Sequence, residues 1–147
     1  MTEELFRADA YAKTCEATVT AADTAGIVLD RTVFYAAGGG QPGDTGILRL
    51  ADGGMVRVVD SRKGPSGGIV HVPAPDQVCP SLGTKVVAEI DWERRYRHMR
   101  MHTCLHLLCA ALPRGRRGHW GGCMWSPGDR IVGFEAETGN ELAAADP

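Results

Sequence analysis

A single change of hydrophobic period, at Asp91, constrains this chain more than any other feature. Before it, apolar residues come in short β-branched runs separated by glycine and proline; after it, they recur at helical spacing until Pro113. A period of two buries one face of a strand, and a period of 3.6 buries one side of a helix. The fold class is therefore α+β, with a β-rich part over residues 1–90 and a helical part beginning the segment 91–147. Strands are predicted at 17–20, 26–35, 46–50, 55–60, 68–72 and 84–90. The sequence Ala51-Asp52-Gly53-Gly54 marks a hairpin between the third and fourth of these. Nineteen glycines and eight prolines against 6% aromatic residues disfavour a helix bundle. Five or six short strands with Gly-rich turns predict a small barrel or folded sheet. A further strand is predicted at 130–135.

Asp91 suits a helix N-cap, Glu93 its first turn, and Pro113 its end. Trp92, Tyr96, Met99, Thr103, Leu107 and Ala110 form one apolar stripe; Met101, Leu105, Leu108 and Leu112 form a second. Two apolar faces predict a buried second half. Between the stripes lie His98, His102 and His106, which drift by about 40° per four residues. Histidines four apart on one side of a helix can grip one metal ion, and neutral imidazoles suit Zn²⁺. The pair His102–His106 is the candidate metal site, with His98 a supporting or RNA-facing group. A zincin protease is excluded, because Thr103 stands where the catalytic glutamate would follow the first histidine.

Composition excludes other classes. No apolar run is long enough to span a membrane, and residues 1–7 carry no secretory leader, so the cytoplasm is the expected compartment. The five cysteines, Cys15, Cys79, Cys104, Cys109 and Cys123, are odd in number and scattered, which is not a disulfide framework. Cys104 and Cys109 are expected as buried helical thiols. Net charge is only −2, yet seven arginines and no carboxylate lie between Arg94 and Arg117. Such a stripe, with Arg95, Arg97 and Arg100 on the helix, either meets a phosphate backbone or is a solvated face.

The second motif is Gly38-Gly39-Gly40-Gln41-Pro42-Gly43-Asp44-Thr45-Gly46. Consecutive glycines allow a backbone to approach a ligand closely, and Gln41 adds a neutral donor and acceptor. No Lys-Ser/Thr follows, so it is not a P-loop, and it does not open a helix as a dinucleotide-binding turn does.

In order and spacing, Leu29-Asp30-Arg31-Thr32-Val33-Phe34-Tyr35, the Gly-Gly-Gly-Gln loop, Asp91-Trp92-Glu93-Arg94-Arg95 and His102-Thr103-Cys104-Leu105-His106 resemble the alanyl-tRNA editing family. These are the free-standing AlaX-type proteins, related to the editing domain of alanyl-tRNA synthetase; the resemblance covers about residues 1–112. It implies a small β-barrel lobe followed by the start of an α+β editing lobe shared with threonyl- and alanyl-tRNA synthetases. It implies hydrolysis, in trans, of serine or glycine from mischarged tRNA(Ala), with the acceptor end as partner. It further implies Zn²⁺ on His102 and His106, a pocket lined by Gly38, Gly39, Gly40 and Gln41, and Thr32 helping to read the serine hydroxyl.

Two departures from that pattern stand out. Ala36-Ala37 replaces the Pro-Glu that usually precedes the glycines. The later Cys-x-x-x-His motif that completes the family's zinc site has no counterpart; His119 and Cys123 have the right gap in reversed order around Trp120-Gly121-Gly122. From about residue 113 the tail is therefore expected to be atypical, truncated or out of frame, and the zinc site incomplete. An editing hydrolase weakened by that loss and a catalytically inactive tRNA-binding module of the same fold both stay open, as does a zinc hydrolase of another substrate.

Overall fold

The computed structural model describes residues 2–64, 67–75, 77–111, 120–126 and 130–135. In chain order its elements are β1 (Glu3–Glu4), a 3-10 turn (Leu5–Arg7), β2 (Thr14–Asp23), β3 (Gly26–Leu29), β4 (Arg31–Thr32), β5 (Gly46–Leu50) and β6 (Met55–Lys63). They continue with β7 (Ile69–Pro73), β8 (Lys85–Ile90), α1 (Trp92–Ala111), β9 (Trp120–Ser126) and β10 (Arg130–Glu135). The chain divides into two compact units. One comprises Met1–Gly38 with Gly43–Arg95; the other comprises Gly39–Pro42 with Tyr96–Pro147.

The first unit is built on a closed antiparallel barrel in the order β2-β3-β7-β6-β5-β8. The ten-residue β2 closes it. Thr14 to Thr18 pair with β8, and Val19 to Asp23 pair with β3, with a register shift between Val19 and Ala21. Alternation then fills the interior: Val56 and Val58 from β6, Val86, Ala88 and Ile90 from β8, Leu48 from β5 and Ile27 and Leu29 from β3 are all buried. Such a cylinder has no free edge to aggregate through. The predicted hairpin joins β5 to β6 with Arg49 opposite Met55. Gly53 takes φ 88° in its turn, and the Asp52 carboxylate accepts the Gly54 N–H at 2.8 Å.

The run predicted as one strand over 26–35 is instead broken at Asp30. Its carboxylate accepts the Thr18 N–H at 2.7 Å and the Arg31 N–H at 2.9 Å, which turns the chain. β4 then pairs in parallel with β1 rather than continuing the barrel.

His71 of β7 lies fully buried in the barrel, its ring edge-on to Phe34 at 5.0 Å. A carbonyl can only accept, so Nδ1–H donates to the Ile27 oxygen at 2.9 Å. Nε2 is then bare and accepts the Thr32 hydroxyl proton at 2.8 Å. The Thr32 oxygen in turn accepts the Phe34 N–H at 3.1 Å. Burial lowers the His71 pKa to about 4.

Helix α1 begins as predicted. The Asp91 carboxylate accepts the Arg94 N–H at 3.1 Å, and the Asp91 N–H donates to the Thr45 oxygen at 2.8 Å. The burial predicted for its second half is not found at the described side chains. Thr103, Cys104, His106 and Leu107 are exposed, Leu107 by 65%. An apolar stripe signals a need for a covering partner, and at these positions solvent takes that place. Cys104 is accordingly an exposed thiol rather than a core one. In the second unit β9 and β10 form an antiparallel ribbon with Gly133 opposite Cys123. Leu112, Pro113 and His119 lie outside the described residues, as do the side chains of Leu105, Leu108, Cys109 and Cys123.

A neutral His71 makes the barrel acid-sensitive. Its folded pKa of about 4 lies below the ordinary histidine value of 6.5, so the unfolded chain binds more protons between those values. The stabilisation is complete above the higher value and is lost as pH falls toward the lower, on the order of 3 kcal/mol in total. Urea midpoints measured at pH 7.5 and pH 4.5 should fall more steeply for the wild type than for His71→Gln. Equal slopes would contradict the assignment.

Candidate functional site

The Gly-rich segment is a loop drawn in at its neck. Within the first unit, Tyr35 and Asp44 are joined twice. The Tyr35 N–H donates to the Asp44 carboxylate at 2.8 Å, and the Asp44 N–H donates to the Tyr35 oxygen at 2.9 Å. Ser61 of β6 braces the neck, donating its hydroxyl to the Asp44 oxygen at 2.9 Å and accepting the Ala37 N–H at 2.8 Å. The Tyr35 hydroxyl donates to the Gly38 oxygen at 2.9 Å. Gly43 is required sterically, since a Cβ there would stand 2.0 Å from the Ser61 oxygen.

The first turn of α1 holds the same neck. Arg94 donates to the Gly43 oxygen at 2.7 Å, and Arg95 pairs with the Asp44 carboxylate. The Arg95 guanidinium also lies 5.5 Å from the Tyr35 ring centre and 5.8 Å from that of Phe6. Burial pushes the Asp44 carboxyl up, while Arg95 and the Tyr35 N–H pull it back down. The net direction is up, so burial outweighs those two contacts. The solvated arginine stripe therefore excludes Arg95, which is 4% exposed; Arg97 and Arg100 are exposed as predicted.

Gly39 and Gly40 take φ of 60° and 78°, the signs that a type I′ turn needs at its two central residues. Gly38 has no such need: the nearest atom to a Cβ there would be 3.7 Å away.

In the second unit, the Gln41 carboxamide is buried, and its Oε1 lies 3.1 Å from Nδ1 of His102. Nδ1–H donates in that contact, which leaves Nε2 of His102 as a bare lone pair. One turn on, the His106 ring stacks at 4.8 Å and 19°. A histidine whose second nitrogen is held by a neighbouring oxygen is oriented as metal-binding histidines are. The pair fits half of a zinc site. Among the described residues no group of three or more His, Cys, Asp and Glu completes one, whereas a catalytic zinc takes three protein ligands. His98 is fully buried, so it does not face RNA.

Thr32 belongs to the first unit, fully buried. Its one proton is given to His71, so it has none to offer a ligand. Neither Asp44 and Ser61 at the neck nor His71 in the barrel was legible as functional from spacing, and Arg95 was expected on the helix surface rather than at the neck. The one signal was an aspartate set within a loop of glycines.

The model of the tRNA synthetases class II (A) matches residues 4–94, and the chain belongs to that family. An alanine–tRNA ligase of Pyrobaculum calidifontis is 49% identical over 114 residues, 77% of this chain and 12% of that protein. The alanyl-tRNA editing protein AlaX-M of Methanosarcina barkeri is 47% identical over 118 residues, 78% of this chain and 48% of that protein. The chain thus spans about half the length of the free-standing relative and about an eighth of the ligase. With the ligase of Pyrobaculum aerophilum, the similarity is 43% identity over 97% of the chain. It therefore continues past Pro113, where the resemblance was expected to end.

The glycines should separate by substitution. Gly38→Ala should leave stability within about 0.5 kcal/mol, because ordinary contact space awaits the methyl. Gly43→Ala should cost about 2 kcal/mol or more, because the methyl meets backbone that cannot yield. Urea denaturation of the two variants checks this, and equal midpoints would show that the neck is looser than its geometry.

Proposed function

We propose that this chain is an alanyl-tRNA editing unit. It binds the acceptor end of tRNA(Ala) carrying serine or glycine and hydrolyses the ester in trans. Water adds to the ester carbonyl, the ribose hydroxyl leaves with a proton, and the free amino acid is released. The observation that carries this reading is the contact between Gln41 and His102, which joins the Gly-rich loop to the histidine helix within one unit. The names of the relatives support the substrate, and the exposed Arg97 and Arg100 supply cations for a phosphate backbone.

Each residue then has a part. Gly39 and Gly40 bring backbone amides close to the aminoacyl-adenosine, and Gly38 continues that wall. Gln41 orients His102 and offers its amide N–H₂ to the substrate. His102 and His106 would hold Zn²⁺, which would polarise an ester carbonyl or make a bound water acidic. Thr32 has its proton committed to His71, so reading the serine hydroxyl falls to Gln41 and the loop amides. A site that hydrogen-bonds a hydroxyl rejects a substrate lacking it far more strongly than size alone allows. The setting is the cytoplasm; among the described residues no helix is long and apolar enough to cross a membrane.

A second reading is a catalytically inactive tRNA-binding module of the same fold. It is favoured by the described residues supplying only two metal donors. Zinc content and deacylation separate the two. The editing unit should release serine from Ser-tRNA(Ala) and spare Ala-tRNA(Ala). His102→Ala and His106→Ala should each lose zinc, while Gln41→Ala keeps it and slows deacylation by about 100-fold. Full zinc in both histidine variants would sink the metal assignment, and tRNA binding with no hydrolysis would favour the module.

Neutralising Arg97 and Arg100 together should weaken tRNA binding and reduce the slope of log affinity against log salt by about two. An unchanged slope would make them a solvated face.

A further inference from the structure

The Asp44–Arg95 pair is buried, at 1% and 4% side-chain exposure. Two charges are expensive to take out of water, and their attraction repays this only when the remaining polar atoms are also bonded. Here Asp44 Oδ1 and Arg95 Nε find no hydrogen-bond partner among the described residues. Replacing such a pair by two apolar side chains of similar volume is often neutral or stabilising. Stability alone does not account for the pair.

Its geometry does. Asp44 Oδ2 receives both Arg95 and the Tyr35 N–H. Tyr35 ties the carbonyl of Gly38, and Arg94, beside Arg95, ties the carbonyl of Gly43. Gly38 and Gly43 are the residues that bracket Gly39–Pro42, the segment carrying Gln41. Tyr35, held by the Asp44 carboxylate, thus ties one foot of the loop, and Arg94, next in sequence to Arg95, ties the other. The cations come from the first turn of the helix that carries His102 two turns further on.

We propose that Asp44 is a positioning residue: by clamping Arg95 and the Tyr35 N–H, it fixes the feet of the Gly-rich loop and so keeps the Gln41 carboxamide on Nδ1 of His102. The consequence for turnover rests on the editing reading; the consequence for Gln41 does not. Asp44 touches no reacting atom. Its effect lies in orientation, where a displacement of about 1 Å can cost about 100-fold in rate.

The experiment compares the wild type with the double variant Asp44→Leu, Arg95→Met and with Tyr35→Phe, which removes only the bond to Gly38. The readouts are the urea midpoint, the NMR shift of the Gln41 side-chain amide, the backbone order parameters of Gly39 and Gly40, and single- and multiple-turnover deacylation of Ser-tRNA(Ala). The double variant should keep or raise the midpoint, yet move the Gln41 amide toward its free position and lower both order parameters. Its kcat should fall by about tenfold, with KM within about twofold. Tyr35→Phe should shift the same signals in the same direction by less. A double variant with a wild-type midpoint, unmoved Gln41 and unchanged order parameters overturns the proposal. Should the double variant not fold, Tyr35→Phe decides, and unmoved signals there overturn it equally. Absence of deacylation in the wild type removes the editing reading, while the Gln41 shift and order parameters still decide the clamp.

Discussion

Everything in the first unit depends on β2 serving two neighbours. Its first half must meet β8 and its second half β3, so the strand shifts register between Val19 and Ala21 and bends the sheet into a cylinder. Closure gives the interior its set of small and branched side chains, Ala17, Val19, Ala88 and Val86 among them. It also places the end of β8 where the Asp91 carboxylate can accept the Arg94 N–H in the first turn of the helix. The helix therefore starts from a fixed point, and Arg94 and Arg95 in its first turn reach the neck of the loop because of it.

The strands were legible because period two is a local property. Gly46 to Leu50 and Met55 onward announce their faces residue by residue, and Asp52-Gly53-Gly54 announces the turn. What could not be read depends on partners far along the chain. The break at Asp30 needs the Thr18 N–H of a neighbouring strand. His71 reads as one more strand residue until Ile27 and Thr32 are brought to its two nitrogens. Asp44 and Arg95 stand 51 positions apart, and charge counting alone puts Arg95 on the surface.

The candidate site was legible in a different way. Gln41 and His102 were each singled out by motif, and they meet although 61 positions separate them. Thr32 was singled out on the same grounds, yet its hydroxyl serves the barrel interior. Resemblance identifies positions under constraint; only geometry shows that the Thr32 hydroxyl is already engaged by His71. The exposed Leu107 and Cys104 make the complementary point about the helix, where periodicity recorded a demand that the described structure leaves to solvent.

The chain of groups running Phe34 N–H, Thr32 hydroxyl, His71 imidazole, Ile27 carbonyl has a single direction: each donor points the same way, from the segment after β4 toward β3. Bonds aligned in this manner polarise one another, so the sequence behaves as a small wire with a fixed sense. No member can be reversed alone. A side chain with donors only, such as lysine, or acceptors only, such as an ionised glutamate, would leave one junction with two like ends facing. The barrel interior at position 71 thus selects for a vector as well as a volume, and among neutral side chains only those with a donor at one end and an acceptor at the other can satisfy it.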